Sequence, residues 1–286
     1  MLLGISCGVS ASRGLGIASP AETVSALSLA PREWARRASD NEIKIIRYSS
    51  PFLRYRIHQI DLKGDQTREV IESKDGPVAR LIERSGKPLT KAQDEAERSR
   101  LQQMLNAPDE FAKHMRNELS GKKTAADLLG LMPQSMIYSY AAGQPQRSGR
   151  AQPTPEVVLD FRPDAAWKPP TLAADALTGL EGRIWINPNT GVVSRMDARV
   201  VRGVNFGWGM LAHVYPGGTI TFQQTGLPGN RFIVSHFVED LTLRAMLVKT
   251  FKVHGETTAS NFTAVSTMSY QQAIQTLLET PLTTVN

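Results

Sequence analysis

The sequence predicts a mainly β protein with helices inserted, and its sheet is expected to be an antiparallel meander. Short runs in which apolar and polar residues alternate recur from Gly182 to Val265. Turns rich in Gly and Pro separate these runs at hairpin distances, without helical segments between them. Alternation with period two is typical of a sheet that is wet on one face. The short connections exclude the long crossovers that a parallel sheet requires.

The clearest hairpin spans 182–201. Ile184 and Ile186 occupy one face of its first strand, and the segment Asn-Pro-Asn-Thr-Gly at 187–191 supplies the turn formers. The second strand again alternates apolar and charged residues. Further strands are predicted at 208–215, 218–226, 231–238 and 241–253, with turns between them that include Glu239-Asp240.

The first half of the chain predicts one helix followed by a second group of strands. The helix covers 31–46, begins with proline in its first turn and carries an apolar stripe. That stripe consists of Trp34, Ala38, Ile45 and Ile46. Alternating residues then predict strands at 53–62, 66–73 and 78–83, the last two joined by an Asp-Gly hairpin.

A helical insertion at about 88–131 separates these strands from the rest. Three helices are expected in it, at 90–106, 109–119 and 124–130, with Thr124 as an N-cap. Strands after Pro133 and at 156–161 and a helical turn at 173–177 complete the pattern. Residues 31–265 therefore predict a single domain, with an extension at 1–30 and a tail at 266–286.

Composition and charge exclude several classes of protein. The chain has 286 residues, 41% of them hydrophobic, which is enough for a substantial core. Its net charge of +6 does not come from basic patches interleaved with aromatic residues: 66–123 holds twelve basic and ten acidic residues. A nucleic-acid partner is therefore not expected. No apolar run approaches twenty residues, so no transmembrane segment is predicted.

The sequence contains no arrangement that predicts catalysis or metal binding. His213, His236 and His254 fall on neighbouring predicted strands, but their spacing has no metal-ligand pattern, and each is interpreted as an ordinary histidine. A nucleophile elbow of the type Gly-x-Ser-x-Gly is absent, and Cys7 is the single cysteine. We therefore expect a non-enzymatic protein with no catalytic residues, no cofactor and no metal site.

The first thirty residues have two interpretations. They are small and apolar, and 25–30 resembles the neighbourhood of a signal-peptide cleavage site, although no charged segment precedes the apolar start. One interpretation is a truncated signal peptide of a secreted protein, which we prefer, and the other is a plain extension. Cys7 loosely matches a bacterial lipid-attachment motif, but Gly4 stands where an aliphatic residue is needed, so an inert cysteine is preferred.

The order of elements and three short segments resemble a known family. The segments are Arg-Leu-Ile-x-x-x-Gly-Lys-Pro-Leu at 80–89, Phe-Arg-Pro at 161–163 and Leu-x-Gly-Leu-x-Gly-x-Ile-Trp-Ile at 177–186. Over about 53–265 the chain resembles the periplasmic outer-membrane lipoprotein-sorting (lipoprotein carrier-like) family, in particular its uncharacterised bacterial branch. The resemblance implies a strongly curved, antiparallel open (unclosed) β-barrel with helices covering the concave face. It also implies a place in the periplasm or cell envelope.

Within that fold, the resemblance implies a cavity for a lipid or a lipoprotein acyl chain. The apolar faces of the predicted strands provide candidate ligand-binding residues, and the insertion at 90–130 is expected to cover them. The alternative is an envelope protein-protein interaction module whose core is filled by its own side chains. The expected partners are thus a hydrophobic ligand or a lipidated protein, or another envelope protein. The candidate residues are Ile184, Ile186, Met196, Met210, Phe222, Phe232 and Leu243.

Overall fold

The computed structural model describes residues 29–47, 50–142, 156–206, 212–245, 249–282 and 284. Its helices are α1 (Pro31–Arg47), α2 (Lys91–Asn106), α3 (Pro108–Ser135) and α4 (Tyr270–Glu279), with a 3-10 helix at Ala173–Gly179. Its strands are β1 (Leu53–Asp61), β2 (Gly64–Ser73), β3 (Gly76–Arg84), β4 (Lys87–Pro88), β5 (Met136–Tyr140), β6 (Val157–Pro163), β7 (Leu180–Ile186), β8 (Val193–Val200), β9 (Val204–Phe206), β10 (Ala212–Val214), β11 (Thr219–Leu227), β12 (Arg231–Ala245) and β13 (Lys249–Ala264).

All thirteen described strands belong to one antiparallel sheet. The order is β4-β3-β2-β1-β13-β12-β11-β8-β7-β6-β5, and the short strands β9 and β10 pair beside β12. The end strands β4 and β5 do not pair with each other, so the sheet is not closed into a barrel. The prediction of a mainly β fold with an open antiparallel sheet is confirmed.

The pairing register defines two faces of this sheet. Tyr55 lies opposite Val70, Phe222 lies opposite both Phe237 and Met196, and Met196 lies opposite Ile184. These residues share one face, which we call the inner face. Residues next to them along each strand point to the outer face.

The β11–β12 hairpin contacts the inner face of strands that lie several positions away in the sheet. Arg231 at the start of β12 forms an ion pair of 2.9 Å with Glu72 on β2. Three strand spacings separate β2 from β12, about 14 Å in a flat sheet. Leu227 and Ile233 of the β11–β12 hairpin also pack in the same cluster as Val70. These contacts place the tip of the β11–β12 hairpin against the inner face of β1 and β2.

The helices divide between the two faces, which differs from the expectation that they all cover the concave one. α1 and the second half of α3 pack on the inner face of β5–β8, in a cluster that includes Trp34, Leu159 and Ile186. α2, α4 and the start of α3 instead pack around Ile71 and Val78. Ile71 is next to Val70 along β2 and therefore points to the outer face.

The insertion is more continuous than the sequence suggested. We expected separate helices at 109–119 and 124–130, but α3 runs without a break from Pro108 to Ser135. Gly121 lies within it, and one glycine weakens a helix by only about 1 kcal/mol. Thr124 is not an N-cap, since its hydroxyl donates to the carbonyl of Ser120 one turn earlier. Only part of the insertion therefore covers the inner face.

The predicted turn at Glu239-Asp240 is wrong, because β12 is continuous from Arg231 to Ala245. Glu239 pairs with Ile220 on one side and with Gly255 on the other, so both neighbouring strands extend past the expected turn. Asp240 is accommodated by a hydrogen bond of 2.6 Å between its Oδ1 and Nδ1 of His254 on β13. The prediction was wrong because adjacent acids are typical of turns, whereas Asp240 has a hydrogen-bond partner, His254, on the neighbouring strand.

The last part of the chain also differs from the predicted tail at 266–286. Tyr270–Glu279 forms α4, whose N-terminus has a capping box between Ser269 and Gln272. Ile274 and Leu277 are fully buried against the outer face of β2 and β3. The predicted extension at 1–30 lies outside the described residues except for its last two positions. No described helix combines the length and apolar character needed to cross a membrane.

Candidate functional site

The predicted ligand-binding residues divide into three groups in the structure. Ile184 and Ile186 are buried in the inner-face core, and Met196 and Phe222 are half-buried beside them, all within reach of α1. Phe232 lies at the β11–β12 hairpin, and Leu243 packs in a separate cluster near Val200. Met210 lies outside the described residues. Four of the seven residues are thus brought together.

A small cavity separates α1 from these four positions on the sheet. Its volume is about 40 Å³, and Ile184, Met196 and Phe222 form part of its wall. Ala38 and Glu42 of α1 and Leu129, Met132 and Tyr138 close the other sides. A cavity of this size holds a few water molecules at most, whereas an apolar cavity of about 150 Å³ is needed for benzene. With α1 in this position, no acyl chain fits between the helix and the sheet.

Glu42 is the one acidic residue on the wall of this α1 cavity. The residue is 7% exposed and lies on the α1 face that carries Trp34 and Ala38. Its Oε1 accepts a hydrogen bond of 2.9 Å from the backbone N–H of Val193, and its Oε2 accepts one of 2.6 Å from Gln224 Nε2. Burial raises the pKa of Glu42 to about 7, and the two hydrogen bonds oppose that shift only partly.

A second buried polar group lies on the inner face close to the β11–β12 hairpin. Glu72 accepts hydrogen bonds from Arg231 (2.9 Å) and from the backbone N–H of Leu53 (3.1 Å). Burial raises the pKa of Glu72, although the positive charge of Arg231 opposes this shift. Burial and the charge of Glu72 raise the pKa of Tyr55 as well. Arg231 Nε is buried without a hydrogen-bond partner.

A groove of about 440 Å³ opens above this pair, between the end of α1 and two hairpins. We call it the hairpin groove. Asn41 and Lys44 of α1 line one side, Asn189 and Thr190 of the β7–β8 hairpin another, and Phe232 a third. Its volume is within the range of small-molecule sites, about 300–1,000 Å³. It is an open groove whose lining combines polar residues with Ile45, Val192 and Phe232.

The outer face of β5–β8 and β11 carries a wider depression of about 630 Å³. Its charged side chains are largely paired with one another: Arg183 with Asp160, Arg199 with Glu181 and Arg195 with Asp197. Exposed pairs of this kind contribute little to stability and leave little net charge for recognition. We therefore place the candidate site on the inner face.

The histidines do not form a common site among the described residues. His213 contacts Asn205 and the ring of Tyr215, His236 contacts Thr258, and His254 pairs with Asp240. Within the described ranges, no three His, Cys, Asp or Glu side chains are grouped closely enough to bind a metal ion.

Sequence reasoning missed Glu42, Gln224, Glu72 and Arg231. A signal for Glu42 was present, because 34, 38 and 42 are spaced by four residues and so share one face of a helix. An acid on the apolar stripe of a helix is expected to be buried. The Glu72–Arg231 pair had no such signal, because the two residues are distant in sequence and meet only in the folded structure.

Comparison with known proteins gives no relative for this chain. No protein-family model, no curated protein and no solved structure matches it significantly.

Proposed function

We propose that this chain is a non-enzymatic protein of the cell envelope that binds a hydrophobic ligand, a lipid or a lipoprotein acyl chain, on the inner face of its sheet. The ligand replaces α1, which covers this surface in the structure. The observation that carries the proposal is the apolar surface formed by Ile184, Ile186, Met196 and Phe222. The helix α1 packs on this surface imperfectly, because the contact contains a small cavity and the buried carboxylate of Glu42. The place in the envelope rests on the family resemblance of the sequence.

Such an exchange replaces one apolar contact of the inner face with another. Transfer of a 16-carbon chain from water to an apolar surface contributes about 0.8 kcal/mol for each buried CH₂ group, or on the order of 10 kcal/mol in total. The largest apolar contact that α1 loses is that of Trp34, which is 2% exposed, and burial of one large side chain contributes about 1.5–3 kcal/mol. The ligand must also offset the loss of the smaller α1 contacts, such as those of Ala35 and Ala38, and the entropy lost on binding.

A second candidate is an interaction module of the envelope that binds another protein and no lipid. The specific observation in its favour is the size of the α1 cavity, about 40 Å³, which shows the inner face filled by the protein's own helices. The two candidates differ in one respect that can be measured: only the first requires α1 to leave the inner face.

A reversible covalent link between α1 and the sheet tests this difference. Asn41 Nδ2 donates a hydrogen bond of 2.9 Å to the carbonyl of Thr190, so these two residues are close together. The variant Asn41→Cys/Thr190→Cys, in a Cys7→Ser background, is designed to form a disulfide that would hold α1 in place. Palmitate binding to delipidated protein is measured by calorimetry, and free thiols are counted to verify the link.

We expect the reduced double variant to bind palmitate and the oxidised one to lose binding at least tenfold. The matched control is Asn41→Cys in the same background, which should bind palmitate equally under both conditions. Equal binding by the oxidised and reduced double variants would show that the ligand does not replace α1. No binding by any form, including the wild type, would favour the interaction module.

A further inference from the structure

The contact between α1 and the sheet contains an acid that lacks a compensating positive charge. Glu42 Oε1 and Oε2 accept hydrogen bonds only from neutral groups, the N–H of Val193 on β8 and the amide of Gln224 on β11. Burying an ionised carboxylate without a cation is unfavourable, whereas burying the neutral acid is much less so. The contact is therefore sensitive to the charge of this one group.

The residues that face Glu42 from every packed element are otherwise almost free of titratable groups. On the described residues around the α1 cavity, β7, β8 and β11 contribute Ile184, Met196 and Phe222, and α3 contributes Leu129 and Met132. β5 contributes Tyr138, whose pKa is raised by burial, so that its phenol stays neutral at physiological pH. Lys44, on α1 itself, is exposed, and β12, which also packs against α1, carries Arg231, which is paired with Glu72. Glu42 is thus the group in this contact whose charge can change near neutral pH.

The neutral acid fits the same position with little change. Oε1 of a protonated Glu42 still accepts from the N–H of Val193. Gln224 Oε1 is buried and has no hydrogen-bond partner, so the Gln224 side chain has an unused acceptor. Rotation of the amide turns that acceptor toward the new O–H of Glu42, at the cost of the 3.0 Å bond from Gln224 Nε2 to the carbonyl of Val193.

We propose that Glu42 makes α1 a proton-dependent cover of the inner face. When Glu42 is protonated, α1 is held on β8 and β11. When Glu42 loses its proton to solvent, α1 leaves the sheet more readily, because the carboxylate is hydrated only in the undocked state. The inference rests on the proposed function in one respect, that the uncovered face is a ligand site. In that case the ligand would be taken up at higher pH and released at lower pH.

The size of the effect follows from linkage between docking and proton binding. An acid whose pKa is about 7 in the docked state and about 4.5 when exposed weakens docking by roughly thirtyfold between pH 5.5 and pH 8.5. The sign is fixed by the direction of the shift. A raised pKa in the docked state means that docking is strongest at low pH and weakens as pH rises.

Hydrogen exchange of the α1 amides, followed by mass spectrometry without any ligand, measures this equilibrium. After correction for the intrinsic pH dependence of exchange, protection of α1 should fall about thirtyfold from pH 5.5 to pH 8.5. Protection of α4, which packs on the outer face through Ile274 and Leu277, should not follow this change. Glu42→Gln should remove the dependence, and Glu33→Gln, a half-exposed position on the same helix, should retain it.

Two results would overturn the proposal. The first is that, in the wild type, hydrogen-exchange protection of α1 changes with pH no more than protection of α4 does. The other is a pH dependence that persists in Glu42→Gln or, if that variant does not fold, in Glu42→Leu. Palmitate binding is measured separately, so the proton-dependent cover can fail while ligand binding succeeds, and the reverse can also occur.

Discussion

Two buried acids on the inner face of this sheet have different hydrogen-bond partners. Glu42 and Glu72 are both buried there, and burial is the largest cause of the raised pKa of each. They differ in their partners, since Glu72 has the guanidinium of Arg231 and Glu42 has two neutral donors. The two acids are therefore expected to respond differently to substitution.

Glu42→Gln should make the protein more stable at pH 8. The pKa of Glu42 is raised to about 7 in the folded state, so the stability associated with it is fully present at low pH and is lost as pH rises through 7. Removing the charge should raise the free energy of unfolding at pH 8 by roughly 2–3 kcal/mol and should have little effect at pH 4.5. Urea denaturation at both pH values measures this difference. A variant less stable than the wild type at pH 8 would contradict it, and Glu33→Gln is the control.

Arg231→Met should destabilise the protein, because it leaves Glu72 buried without its cation. Removing one partner of a buried pair typically costs about 3–5 kcal/mol. The double variant Glu72→Gln/Arg231→Met should recover a large part of this loss, since no uncompensated charge then remains. The free energies of unfolding of both single variants and the double variant form the cycle that measures the coupling. Strictly additive losses would show that the two side chains act independently.

Elements differ in how well their sequence predicted them. The bounds of α1 and of β1–β3 agree with the predictions to within two residues, because alternation, a helix-starting proline and an Asp-Gly turn all indicate the same structure. The single helix α3 and the continuous strand β12 were each divided in the prediction. In both cases local signals, Gly121 with Thr124 and Glu239-Asp240, were outweighed by contacts that the sequence does not reveal.

The helix α4 belongs to the core, although its segment was predicted to be a tail. Substitutions on its buried face should therefore lower the free energy of unfolding. Leu277 is fully buried, and the buried guanidinium of Arg80 donates to the backbone carbonyls of Leu277 and Thr280. Leu277→Ala should reduce the free energy of unfolding by about 2–5 kcal/mol. Gln275→Ala, at an exposed position of the same helix, should change it by less than about 0.5 kcal/mol. Similar small effects for both variants would contradict the packing of α4 on the sheet.

For the whole molecule, the sequence predicted the class of fold better than the site. Alternation and short turns are local properties, and they indicate an antiparallel sheet, whereas its open form was implied by the family resemblance. The site depends on which residues of distant strands face each other, such as Met196, Phe222 and Ile184 across three strands. Four candidate residues met because they share the inner face, while Phe232 and Leu243 lie at other ends of it.

The protein should unfold as one unit. All described strands belong to a single sheet, and β1 and β13 join the two parts of the chain within it. Unfolding in urea should therefore give coincident transitions by far-ultraviolet circular dichroism and by tryptophan fluorescence. Two separate transitions would show that the β1–β3 part and the β5–β8 part fold independently.

The pairing of β1 with β13 has a consequence for the chain while it is being made. Leu53 lies opposite Ala264, more than two hundred residues later. At about 5–20 residues per second, the ribosome needs on the order of 10–40 s to deliver the partner strand. During that time β1 can pair with β2 but its other edge remains open to strands of neighbouring chains. Newly made molecules are therefore exposed to mispairing until synthesis is nearly complete, and any factor that assists their folding has this edge to shield.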